Sequence, residues 1–222
     1  MIPRMISLRI LVTAGSTQVP IDRVRCISNI FKGRTGVGIA ATAARLGHQV
    51  TLIANPGVDL TNVKVRYLPY KTFDELQTLM EEYIGARPLL DPKEKFDVII
   101  HSSAVSDFKV KDVYDGKIKS SKDDLVLHLV KTPKLVDNIR TPWGFNGKLV
   151  KFKLEVGVTE DQLLDIAMSS RKQSKADYIV ANRLDDFKDW ETPNMFIIGP
   201  NDDVTRVSRN DLASTLIDKV WY

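Results

Sequence analysis

Apolar residues recur along the chain in two rhythms. Short unbroken apolar runs, the mark of strands covered on both faces, occupy residues 8–13 (LRILVT), 48–55 (HQVTLIAN), 64–70 (KVRYLPY) and 96–104 (FDVIIHSSA). They return at 148–155 (KLVKFKLE), 176–182 (ADYIVAN) and 195–200 (MFIIGP), with LVLHLVKT (125–132) a further strand candidate. Between them lie stretches of helical period. Residues 36–46 carry Ala40, Ala41, Ala43 and Ala44, small side chains that let a helix lie close on a sheet. Thr72 with Glu75 spells a capping box ahead of Leu76, Leu79, Met80 and Tyr83. Thr159 with Gln162 repeats it ahead of Leu163, Ile166 and Ala167, and DLASTLIDKVW predicts a closing helix. Strand and helix signals alternating in this way predict an α/β fold with a largely parallel sheet. The chain shows no internal repeat and no low-complexity segment, so residues 1–222 are expected to form a single domain.

Composition narrows the partners. A hydrophobic share of 43% and a charged share of 27% suit an ordinary globular chain. Lys+Arg 32 against Asp+Glu 28 gives +4 without any run of five or six like charges, which argues against nucleic acid and suits a small phosphorylated substrate. Cys26 is the only cysteine, so no intrachain disulfide and no zinc cluster is encoded. The apolar N-terminal stretch runs straight into a predicted strand and lacks a small-residue cleavage site. No run approaches the ~18 apolar residues of a membrane helix. The expectation is a cytoplasmic protein with no membrane partner.

Candidate chemistry gathers where predicted strands end, the position at which open parallel sheets bind ligands. After the first strand comes VRCISNIFKGRTGVG (24–38), whose Gly33, Gly36 and Gly38 read GxxGxG in place of the dinucleotide GxGxxG. Asn55 stands where a ribose-binding carboxylate would end the second strand, which weighs against a nicotinamide enzyme. Amides at a helix start still attract anions, and Lys32 and Arg34 would add charge. SSAVSDF (102–108) follows the fourth strand and Glu155 ends KLVKFKLE. The segment 105–122 is long, irregular and rich in lysine (Lys109, Lys111, Lys117, Lys119, Lys122), either a solvated loop or a functional one. No metal-ligand spacing is visible; His48 reads as a turn residue, and His101 and His128 lie within strand-like runs.

Taken in order, ILVTAGSTQVPIDRVRCISN…GRTG, SSAVSDF, KIKS, VKTPKLV, KFKLE and ADYIVAN resemble the phosphopantothenate–cysteine ligase (phosphopantothenoylcysteine synthetase) family over nearly the whole chain. The resemblance implies a modified Rossmann-like domain, a homodimer, and a two-step ligation of coenzyme A biosynthesis. In it, a carboxylate attacks the α-phosphate of CTP or ATP, with Mg²⁺ on the phosphates, and cysteine then displaces the nucleotide. It places Lys117 in acyl-nucleotidylate formation, Asn29 in the second half-reaction and Arg25 near by. Nucleotide contacts are implied for Ala104, Asp107, Pro133, Lys134, Leu135, Val136 and Phe152, with Gly15, Ser16, Thr17 and Gly33 framing the phosphate-facing loops. No stretch matches the flavin-dependent decarboxylase fused to this module in many bacteria, so a stand-alone ligase is expected.

The chain departs from the family pattern twice. Phe31-Lys32 stand where two hydroxyl residues are usual before Gly33, and Ser170 and Ser174 replace two lysines spaced four apart before ADYIVAN. CTP and ATP both stay open. Two other readings compete with the ligase: an NAD(P)-binding oxidoreductase, and a catalytically impaired nucleotide-binding relative. Against the former stand Asn55 and the lack of a Tyr-xxx-Lys pair on a helix.

Overall fold

The apolar runs become strands of one sheet, and the periodic stretches become helices on both its faces. The computed structural model describes residues 7–85, 95–120, 124–186, 192 and 194–221. In chain order the elements are β1 (Arg9–Ala14), β2 (Gln18–Pro20), β3 (Cys26–Ser28), α1 (Arg34–Arg45), β4 (Gln49–Ala54), β5 (Arg66–Pro69), α2 (Phe73–Ile84), β6 (Val98–His101) and β7 (Phe108–Val110). They continue with β8 (Leu129–Lys131), α3 (Leu135–Arg140), β9 (Lys148–Glu155), α4 (Glu160–Gln173), β10 (Tyr178–Arg183), β11 (Met195–Ile198), β12 (Val204–Val207) and α5 (Leu212–Trp221).

The sheet runs β12-β11-β10-β9-β6-β1-β4-β5. Strands β5 to β10 in that row pair in parallel, and β11 and β12 add an antiparallel edge. Side chains alternate between faces, so each strand feeds two cores. Ile10, Val12, Leu52, Ile100, Val150 and Val180 pack with α1 and α5; Leu11, Ile53, Ile99 and Leu149 pack with α2 and α3. Ile179 and Ala181 meet Leu163 and Ala167 of α4. Covering both faces is why these strands read as continuous apolar runs. Both predicted capping boxes form, at Thr72–Glu75 and Thr159–Gln162.

The sequence reading predicted neither α3 nor β12, and three further features differ from it. The run 125–132 yields only β8, which leaves the main sheet and pairs antiparallel with β7, a strand inside the segment expected to be irregular. All three β8 residues are exposed, so this run has no core face to hold it in the main sheet. The loop after β1 folds back as a second ribbon, β2–β3. Helix α1 starts at Arg34, two residues earlier than expected, because Gly33 in the left-handed region (φ 73°) turns the loop into the helix.

Chain order reverses between β1 and β6: β1 leads by way of α1 to β4, while β6 leads to β9 and β10 on the opposite side. A crevice opens at the carboxyl ends of these strands, where doubly wound sheets take ligands.

Candidate functional site

The loops leaving β1 and β6 are laced together by their backbones. The Ala104 amide donates to the Gly15 carbonyl (2.8 Å) and the Thr17 amide to the Ala104 carbonyl (3.3 Å). Thr17 Oγ1 donates to Ser106 Oγ (3.0 Å) and accepts from the Ser106 amide (2.8 Å). Behind them the buried Tyr70 hydroxyl bridges the Ala14 carbonyl and Ser103 Oγ, both at 3.0 Å. Burial raises its pKa well above the tyrosine range, so it stays a donor.

The long segment after β1 then crosses over this lacing. Asn29 Nδ2 donates to the Ala104 carbonyl (3.1 Å), which brings the β3 end of the loop onto the β6 loop. The chain next squeezes past Gly15: a Cβ on Gly33 would lie 2.4 Å from the Gly15 nitrogen, and one on Gly36 would lie 2.3 Å from Ser102 Oγ. Only glycine permits this approach. It delivers the start of α1 to the crevice with no acidic residue in its first turn and with Lys32 and Arg34 beside it, an arrangement that favours anions.

These loops enclose a cavity of about 920 Å³, walled by residues from 29–36, 101–105, 132–137 and 151–154 and completed by Asp107, Ser170, Gln173, Asn182, Leu184 and Arg209. Of the residues expected from the sequence, Asn29, Gly33, Ala104, Asp107, Pro133, Lys134, Leu135, Val136 and Phe152 line it. Gly15, Ser16 and Thr17 stand behind the wall as its framework. Asp107 is held by Lys134 Nζ at 3.3 Å, an exposed pair that a ligand can open at little cost. Asn55 spends its amide on the framework, donating to the Ser16 carbonyl (3.1 Å) and accepting from the Gly57 amide (2.9 Å).

Arg25 and Lys117 lie outside this lining. The Arg25 guanidinium is tied to Asp22 (2.5 Å) and to the Ile118 carbonyl (2.8 Å). Asp22 also accepts from the amides of Val24 (2.8 Å), Arg25 (2.7 Å) and Ile118 (3.0 Å). The Arg25 guanidinium first, then these amides, holds its carboxyl far below the usual range. The Arg23 amide bonds the Gly116 carbonyl (3.0 Å) and the Tyr114 amide the Ile21 carbonyl (3.1 Å). The β2–β3 turn therefore anchors the backbone around Lys117, whose side chain is exposed.

Sequence reasoning missed several members of the wall. Thr13, His101 and Lys151 share one register row across β1, β6 and β9. Thr13 Oγ1 and His101 Nδ1 are 2.9 Å apart, and burial, assisted by the Lys151 charge, lowers the His101 pKa to about 4, leaving a neutral ring. Lys151 Nζ reaches the Ser170 carbonyl (3.1 Å), Ser170 Oγ (3.0 Å) and Ser174 Oγ (2.9 Å), the two positions where the family resemblance expects lysines. Burial lowers the Lys151 pKa to about 8; Asp137 works against the shift, while Lys134 and Lys153 add to it. The signal for Lys151 was a lysine inside the apolar run LVKF. Asn182 is buried, and its Nδ2, a donor on the cavity wall, has no partner among the described residues. Among the described residues no three His, Cys, Asp or Glu side chains converge into a metal site. No helix among them is long and apolar enough to cross a membrane.

Residues 5–222 match the family described as the DNA/pantothenate metabolism flavoprotein C-terminal domain. The coenzyme A biosynthesis bifunctional protein CoaBC of Thermococcus kodakarensis is 34% identical over 216 residues, 96% of this chain and 50% of the relative. The chain spans about half the length, or less, of the CoaBC relatives it matches. Among solved structures, the DNA/pantothenate metabolism flavoprotein from Streptococcus pneumoniae superposes with a TM-score of 0.81 at 28% identity, covering 96% of this chain and 98% of that one. A Cab2 variant in complex with phosphopantothenate-cysteine shares the fold, with a TM-score of 0.65 at 18% identity over 96% of this chain and 85% of that one.

Proposed function

Since the chain belongs to the DNA/pantothenate metabolism flavoprotein C-terminal domain family, we propose that it ligates 4'-phosphopantothenate to cysteine, with CTP or ATP as the activating co-substrate. The observation that carries this reading is the Asn29–Ala104 bond, which joins the opening loop and the β6 loop into one wall of a cavity large enough for both substrates. The CoaBC relatives act in coenzyme A biosynthesis, and the Cab2 neighbour holds the product of this ligation, phosphopantothenate-cysteine.

In the first half-reaction the substrate carboxylate oxygen attacks the α-phosphorus and the bond to pyrophosphate breaks. Two anions must meet, so the chemistry requires cations and amide donors around them. The α1 start with Lys32 and Arg34 supplies a fixed positive region, and Lys117, on its anchored loop, follows the charge as it moves to the leaving group. In the second half-reaction the cysteine amine attacks the acyl carbon and the nucleoside monophosphate leaves with the former carboxylate oxygen. An asparagine amide has two N–H groups. Asn29 uses one on Ala104 and keeps the other for the acyl oxygen. Phe152 offers a face to the base and Asp107 accepts ribose hydroxyls. Arg25 acts as a positioning residue, through Asp22 and Ile118. Mg²⁺ carried in on the triphosphate would supply charge neutralisation, with Asp107 and Asp137 the carboxylates lining the cavity.

Exposed apolar side chains on the two ribbons and their loops, among them Val24, Ile27, Ile30, Phe108, Tyr114 and Val126, support a homodimer built through this face. The test of the activity is pyrophosphate release measured with CTP and ATP side by side. Release should require phosphopantothenate and should be abolished by Lys117→Gln. Release that ignores phosphopantothenate would overturn the reading.

A further inference from the structure

Lys151 is the one lysine buried among the described residues, only 8% exposed. The other charged side chains buried with it, Asp22 and Arg171, each meet an opposite charge, at 2.5 Å and 2.7 Å. Among the described residues Lys151 meets none within ion-pair distance; its three contacts are to neutral oxygens of Ser170 and Ser174. A buried charge without a counter-charge is costly. Beside this one lies the open cavity, whose wall includes both Lys151 and Ser170.

The hydrogens can be followed one by one. An ammonium group has three donors and no acceptor. All three are spent on the Ser170 carbonyl, Ser170 Oγ and Ser174 Oγ. Ser174 Oγ donates in turn to the Ser170 carbonyl (2.9 Å). Ser170 Oγ therefore accepts from Lys151 and cannot return its own hydrogen there. Among the described residues that hydrogen has no acceptor, and Ser170 is half-buried on the cavity wall. The wall itself is cationic, with Lys32 and Arg34 in addition to Lys134 and Lys153, whose charges are paired to Asp107 and Glu155.

Building on the ligase reading, we infer that Ser170 and Lys151 form a phosphate subsite: Ser170 donates its hydroxyl to a phosphoryl oxygen of the bound nucleotide, and Lys151 positions that hydroxyl and finds in the phosphate the counter-charge it lacks. The subsite has a built-in pH dependence. The Lys151 pKa of about 8 is set by burial first, with Asp137 opposing the shift and Lys134 and Lys153 adding to it; His101, its register neighbour on β6, is neutral. Once Lys151 loses its proton, the amine nitrogen can accept from Ser170 and turn the hydroxyl away from the cavity. Both the charge and the donor are then lost together as pH rises through this range, and a bound phosphate shifts the midpoint upward.

Equilibrium binding by calorimetry tests this with CTP and ATP, with cytidine and adenosine as phosphate-free controls, at pH 7 and pH 9. Lys151→Met should weaken the triphosphate about 10- to 100-fold and Ser170→Ala several-fold, as loss of a charge-assisted contact does. Nucleoside affinity should stay within about twofold for both variants, and wild-type triphosphate binding should weaken at pH 9 while that of Lys151→Met does not. If both variants keep wild-type triphosphate affinity, or lose nucleoside and triphosphate binding equally, Lys151 merely caps the end of α4 and the inference is overturned. If Lys151→Met does not fold, Ser170→Ala decides. If the wild-type protein binds neither triphosphate, the ligase reading falls and this subsite with it.

Discussion

Asn29 and Lys151 are each left partly unanswered among the described residues, Asn29 with a spare N–H donor and Lys151 with a charge that no carboxylate pairs, and each exposes a different consequence. Asn29→Asp would set a carboxylate against the Ala104 carbonyl now 3.1 Å from Nδ2, removing both the tether and the spare donor. Pyrophosphate release should continue, while amide product should fall by about 100-fold or more, as for loss of one oxyanion donor; the acyl nucleotidylate should build up in a quenched-flow experiment. Lys151 instead bears on stability. Its folded pKa, about 8, lies below its unfolded value near 10.5, so the unfolded chain holds the proton more tightly between these limits. Stability therefore rises with pH from about 8 to 10.5, and the charged lysine is a burden at all lower pH. Lys151→Met should raise the melting temperature at pH 7, and the gain should shrink as pH climbs towards 10.5. The sequence showed Asn29 through its motif. It did not show Lys151, because nothing in one chain reveals that a strand lysine and two helix serines 19 and 23 residues later converge.

The main-sheet strands other than β12 were legible because both faces are covered, which forces continuous apolar runs, and the helices other than α3 because their caps and periods survive in sequence; β12 is largely exposed and α3 is one short uncapped helix. The ribbons were not. Strands β2, β3, β7 and β8 are three residues each, β3 and β8 are fully exposed, and their pairing rests on backbone bonds that leave no periodic signature. Yet they explain why the segment between β1 and α1 is long: it must form a hairpin, hold the Lys117 loop through Asp22, and still reach Gly33. Phe31 and Lys32 take part in the cavity wall, so the departure from the usual hydroxyls lies in the site itself. Asp22→Asn tests this element. Its depressed carboxyl contributes stability that is present at neutral pH and lost only as pH falls through its folded pKa, deep in the acid range. At neutral pH the variant should loosen the loop around Ile118 and slow pyrophosphate release by about 10-fold or more, as misplacement of a catalytic group does, with equilibrium nucleotide binding little changed.

For the whole molecule, the sheet reversal between β1 and β6 puts every loop of the site at one end of the strands, and the ribbons with their exposed apolar side chains are built from the segments that leave β1 and β6 at that end. Ile30 at 78% and Val126 at 80% are the most exposed of the large apolar side chains among the described residues. Sedimentation equilibrium should return a dimer, and Val126→Asp together with Ile30→Asp should shift it to monomer without lowering helix content by circular dichroism. A dimer unmoved by both changes would place the interface elsewhere.

The central claim is activation of a carboxylate at the α-phosphate. Its most direct measurement supplies phosphopantothenate labelled with oxygen-18 in the carboxylate, together with cysteine and the preferred triphosphate, and follows the label by mass spectrometry. The account predicts one labelled oxygen in the nucleoside monophosphate and none in pyrophosphate. Label in inorganic phosphate, with a nucleoside diphosphate as the other product, would mean attack at the γ-phosphate and would contradict it.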